Sequence, residues 1–108
     1  MYKGTIIENS LSDVAILTKV RILATRYAGD WILHDVLIEE SCIPELSQCL
    51  AIGPWYVHLW KPGNDTVKIV YRDAVFDIVF SDKSTWRDAV AYGKSIGIPD
   101  AQLDFPID

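Results

Sequence analysis

The chain is poor in the residues from which most small-protein chemistry is built. Among 108 residues it holds two cysteines, two histidines and one methionine. Cys42 and Cys49 lack the CxxC spacing of zinc ribbons and redox motifs, so two free thiols behaving as small buried apolar side chains are expected. No run of Lys or Arg exists. Ten basic residues are scattered among fifteen acidic ones, for a net charge of −5. That distribution cannot neutralise a phosphate backbone or an anionic membrane surface, so neither nucleic acid nor membrane is an expected partner. No apolar stretch approaches the roughly 18 residues needed to span a bilayer. The apolar run within residues 1–8 is too short for the core of a signal peptide, and a cytoplasmic protein is expected, where its thiols stay reduced. G-x-S-x-G, H-E-x-x-H and phosphate-binding Gly-rich loops are all missing, so no cofactor and no metal are expected.

What the chain does have is apolar and aromatic surface. Half of its residues are hydrophobic, and four Trp, five Tyr and three Phe fall within a length that makes one domain, residues 1–108. A domain this small has much surface per unit volume. Some apolar area should stay outside, and a homo-oligomer, a dimer, is the expected result.

Periodicity orders the elements. Residues 2–8 read as a strand. Residues 10–19 read as a helix, with Ser10-x-x-Asp13 approximating a capping box. Residues 20–27 and 31–39 read as a hairpin turning at Ala28-Gly-Asp30, where Gly29 supplies a positive φ. A second helix spans residues 42–52, with Pro44 in its first turn and Gly53-Pro54 at its end. Three strands follow at residues 55–60, 66–71 and 74–80. A third helix opens at Ser84 as N-cap and closes at Gly97, with Ile98 and Pro99 behind it. The tail from Asp100 is irregular, pinned by Leu103 and Phe105. The order β-α-β-β-α-β-β-β-α defines an α+β fold with a largely antiparallel sheet. Its first six elements give a ferredoxin-like (split βαβ) core, to which an extra hairpin and a C-terminal helix are added, with the helices on one face.

Tyr2-Lys-Gly-Thr-Ile-Ile-Glu8 followed by Ser10-Leu11, Trp31-Ile-Leu-His34 with Val36 and Ile38, and Tyr71-Arg-Asp73 before Val75-Phe76 form a pattern. It continues in Tyr92-Gly93, Ser95-Ile-Gly-Ile-Pro99 and Gln102-Leu-Asp-Phe105. Over nearly its whole length the chain thereby resembles a family of small prokaryotic proteins of unknown function. The resemblance implies no activity, cofactor or catalytic residue. One departure stands out: the family pattern has a longer loop where this chain has only Ala28-Gly-Asp30. Any site shaped by that loop would be reduced here.

The candidate site is aromatic. Tyr56, His58 and Trp60 alternate along one strand face, and Trp31 opens another strand, so a ligand- or partner-binding surface of Trp31, Tyr56, His58 and Trp60 is expected. It would take a protein partner or an apolar small molecule. Trp55 and Trp86 fall in apolar stripes and read as core anchors. The alternative is a cofactor-independent enzyme in which His34 or His58 acts as acid/base in the same aromatic pocket. His34 cannot pair with Asp35, because neighbouring strand residues face opposite ways, and its carboxylate must come from another element. For His58, Asp77 is the available carboxylate if the strand register brings it to the same face. Cys42 and Cys49 lack the electropositive setting of an activated thiol.

Overall fold

In a computed structural model, which describes residues 1–105, the chain forms an α+β structure built on one open, fully antiparallel six-stranded sheet. The strands are β1 (Tyr2–Ile7), β2 (Arg21–Ala28), β3 (Trp31–Ile38), β4 (Val57–Trp60), β5 (Thr66–Tyr71) and β6 (Ala74–Val79). Two α-helices are present among the described residues, α1 (Ile43–Cys49) and α2 (Arg87–Ser95), with 3₁₀ segments between and beside the strands. The sheet order is β2-β3-β1-β4-β5-β6. Residues 106–108, the end of the expected irregular tail, lie outside the described residues.

The expected first helix is not an α-helix. Residues Glu8–Ser10 and Val14–Thr18 form two 3₁₀ segments instead. Asp13 accepts the Ala15 N–H and caps the second of them, while the Ser10 hydroxyl turns back to the Ile7 carbonyl. Between the segments Leu11 bridges to Leu50, and Ser12 and Asp13 donate backbone N–H groups to the Cys49 carbonyl. Those tertiary bonds, with β-branched Val14, Ile16 and Thr18, outweigh a short helix that would not be stable by itself. The same bridge ends α1 at Cys49, before Gly53-Pro54: Leu50 turns extended and the Ala51 N–H bonds to the Ser10 carbonyl.

The strand residues divide into two faces, and the helices take one face each rather than sharing one. On the first face Tyr2, Ile6, Val36, Ile38, Val57, Leu59 and Val70 pack with Leu11 and Ile16 and with Ile43, Leu46 and Cys49 of α1. On the second, Trp60, Val67, Ile69, Tyr71 and Ile78 pack with Trp86 and Ala89 and with Ile98, Leu103 and Phe105 from α2 and the tail. The register explains the second core, since Val67 pairs with Ile78 and Ile69 with Phe76, which stacks the apolar residues of β5 and β6 on one side. Trp86 anchors this core, as its position in the apolar stripe predicts.

Asp82, not Ser84, caps the turn into α2 by accepting the Ser84 N–H. Gly97 takes φ 95° and the Ile98 N–H bonds back to the Gly93 carbonyl, the left-handed helix ending expected from Gly-Ile-Pro. Leu103 and Phe105 are buried, so the tail returns across the sheet.

Candidate functional site

Among the described residues, the second face is covered from β4 to β6. Over β1 and β3 it stays open, and there the strands and the returning tail enclose a groove of about 550 Å³. Alternation decides which side chains reach it. β1 contributes Thr5 and Ile7, β3 contributes Trp31 and Leu33, and β4 contributes His58; Val57, whose side chain packs in the first core, borders the groove beside it. Pro54, Trp55 and Tyr56, leading into β4, form one wall, and Gly97, Pro99, Gln102 and Asp104 form the opposite one. Strand residues thus make a fixed floor and the chain ends beyond α2 make a rim.

The aromatic walls have defined geometry. Trp31 and Trp55 meet edge to face, centroids 6.0 Å apart at 63°. Tyr56 packs against Phe105 at 5.5 Å and 81° and against Tyr71 at 6.0 Å. Its hydroxyl donates to the Gln102 carbonyl, which ties the tail to the wall. Burial, and then the Asp104 carboxylate, push the Tyr56 phenol up to about 12, so it remains a neutral donor at physiological pH. His58 stacks on Trp60 with centroids 5.3 Å apart at 20°, and its ring lies 6.2 Å from that of Tyr56.

Of the residues expected at the site, Trp31, Tyr56 and His58 therefore come together around one groove. Trp60 does not line it. At 7% exposure it belongs to the second core, beneath the stacked His58. Trp55, read from the sequence as a core anchor, is a wall of the groove. β4 begins only at Val57, so strand parity does not extend back to it. Asp77 is not a partner for His58. It pairs across with Lys68, which pairs with Leu59, and so lies on the opposite face. The polar groove residues that sequence reasoning missed are Asp104, Gln102 and Thr5. The stop at Gly97-Ile-Pro99 followed by apolar Leu103 and Phe105 was the signal that the tail returns, but not where it would land.

His34 lies on the first face, 7% exposed, opposite Ile6 and Thr25. Its Nε2–H donates to Glu8 Oε1 at 2.9 Å, which in the neutral ring leaves Nδ1 to accept the Thr25 hydroxyl, also at 2.9 Å. The carboxylate does come from another element, as strand geometry requires. The arrangement joins β2, β3 and the end of β1, but it stands on the far side of the sheet from the groove. His34 therefore takes no part in groove chemistry, and the two histidines cannot act together.

On the groove's own face, Asp35 accepts from Arg26 (2.9 and 3.2 Å) and from the Thr5 hydroxyl (2.8 Å). These bonds hold its carboxyl below the ordinary range. Both cysteines are free thiols; Cys49 is buried, and desolvation raises its pKa, as expected of an inert core thiol. Among the described residues no group of three or more His, Cys, Asp or Glu gathers to hold a metal ion, and no helix is long and apolar enough to cross a membrane. No protein-family model matches the chain, and no curated protein or solved structure does either.

Proposed function

We propose that this protein acts by binding, and that its groove takes an apolar small molecule. The observation that carries the reading is the groove itself. Its volume of about 550 Å³ lies within the range of ligand pockets, its floor is apolar strand surface, and a few polar groups (Thr5, His58, Gln102, Asp104) stand at its walls. Ile7 and Leu33 lie on a part of the strand face that no helix among the described residues covers, where a ligand is the natural cover. The sheet order β2-β3-β1-β4 supports a split βαβ core, with 3₁₀ segments standing in for its first helix.

The test is titration with an uncharged apolar fluorophore, N-phenyl-1-naphthylamine. Saturable binding at one site per chain is expected, lost in Leu33→Asp. Fluorescence that rises without saturating, or that is unchanged by Leu33→Asp, would end the reading.

The proposal extends to self-association. β2 is a sheet edge with all eight residues exposed, and Ile22, Leu23, Tyr27 and neighbouring Trp31 leave large apolar side chains in water. Two chains joined at this edge in a cytoplasmic dimer are the expected assembly. A catalytic alternative survives only for His58, which shares the groove with Asp104. An NMR titration of its ring separates the two readings, because a catalytic base is held at a shifted pKa and an ordinary value near 6.5 would end the catalytic one.

A further inference from the structure

We propose that the groove's ligand is an organic cation, a quaternary ammonium group carried on an apolar body; this rests on the groove being a binding site. Three observations converge. The first is the pair of indoles. Trp31 and Trp55 stand at 63° to one another, 6.0 Å between centroids, so they present walls in two directions at one end of the groove. Indole faces are the best of the aromatic surfaces for attracting a cation, and an aromatic corner is the recurring way that a quaternary ammonium is held.

The second is charge. No Lys or Arg is among the described residues that line the groove, whereas Asp104 stands in its wall. On the same face outside the groove, the Arg26 guanidinium is bound by Asp35, and the charge of Lys3 on β1 also acts on that carboxylate. The chain as a whole carries −5, which favours encounter with a cation over an anion. The third is the scarcity of acceptors. A primary ammonium carries three donors and needs partners for each on entering an apolar site. The groove is mostly hydrocarbon and aromatic ring, and the Tyr56 hydroxyl is already committed to the Gln102 carbonyl. A methylated ammonium has no donors to satisfy. Its charge is met by the ring faces and Asp104, and Ile7 and Leu33 take the apolar remainder.

The decisive comparison uses two probes of one shape: 4-hydroxyphenyltrimethylammonium and 4-tert-butylphenol, which differ in replacing N⁺ by carbon. Binding is read from the indole N–H signals by NMR. The cation is expected to bind about tenfold more tightly, the scale of a partly desolvated cation–π contact. Trp31→Leu and Asp104→Asn should each remove most of that preference. Both positions are exposed, so folding is not at stake, and the affinity of each variant for 4-tert-butylphenol separates loss of charge recognition from loss of the groove. Equal affinities, or tighter binding of the neutral probe, would overturn the cation assignment and leave the groove as an apolar site. If neither probe shifts the Trp31 and Trp55 signals saturably, the binding reading fails and takes this inference with it.

Discussion

Individual residues show how closely this sheet is packed. Gly4 of β1 pairs with Leu59 of β4, and a Cβ there would lie 2.6 Å from Leu59 Cδ2 and 2.7 Å from the His58 carbonyl oxygen. The second contact is backbone and cannot rotate away, so the strands must separate. Gly4→Ala is expected to destabilise the protein by about 1–3 kcal/mol, the range of overpacked cores. Urea unfolding checks it, and an unchanged midpoint would mean that β1 and β4 are not held as described. Tyr56 offers a second test. Its folded pKa of about 12 exceeds the ordinary phenol value, so the folded state keeps a proton that the unfolded state gives up. Its contribution is complete below about pH 10 and is lost as pH rises from there through about 12. Tyr71, fully buried and donating to the Ala89 carbonyl, is raised for the same reason. Alkaline unfolding monitored with phenolate absorbance should therefore show Tyr56→Phe less sensitive to pH in that window. An identical slope would place the Tyr56 hydroxyl in water.

Among the elements, β2 is tied to β3 within the hairpin by two side-chain links on opposite faces. One is Thr25 to His34, the other Arg26 to Asp35. Thr25→Val leaves the buried His34 Nδ1 without its donor, at a cost of roughly 1–2 kcal/mol. Hydrogen exchange should quicken along β2 and leave β5 unchanged, and uniform quickening would show that the hairpin does not open by itself. Asp35 carries a pH signature of opposite sign to that of Tyr56. Its lowered pKa means that its stabilisation is present above the unfolded value near 3.9 and is lost as pH falls through the folded value. Asp35→Asn should flatten the acid limb of stability against pH. The pair is partly solvated, so the change is small.

The same elements show what was legible in the sequence. β5, β6, the hairpin and the α2 ending were readable because period-2 alternation, Ala28-Gly-Asp30 and Gly97-Ile-Pro99 act locally. The first helix was misread because Leu11 and Leu50, distant in sequence, pair and divert the backbone. Trp31, Tyr56 and His58 could be named for the site from residue type and parity. Trp60 and Trp55 exchanged roles, because their positions depend on where β4 begins and on which half of the face α2 covers. No local pattern encodes either.

At the scale of the molecule, the two cores sit diagonally across the sheet. The first covers one face from β3 to β5, and the second covers the other from β4 to β6. A diagonal arrangement leaves two uncovered regions. The one on the first face at β6 is polar, closed by the Lys68–Asp77 pair (2.7 Å) beside exposed Val75. The one over β1 and β3 is apolar and became the groove. β2, beyond both cores, is exposed throughout and carries the apolar surplus visible in the composition. Pairing of β2 with its copy would extend the sheet and shield Leu23 and Tyr27. Two features moderate that edge: a bulge between Ile22 and Ala24, and the charges of Arg21 and Arg26 along it. Association should therefore be reversible and favoured by salt, which screens both those arginines and the −5 on each chain. Native mass measurement and light scattering across concentration should show a two-chain species that strengthens from low to moderate ionic strength. Leu23→Lys with Tyr27→Lys should return it to single chains without altering the fold, since both side chains are in solvent. A single chain at every concentration and salt would mean that the bulge and the arginines protect this edge outright, leaving the groove as the only place where the uncovered sheet meets a partner.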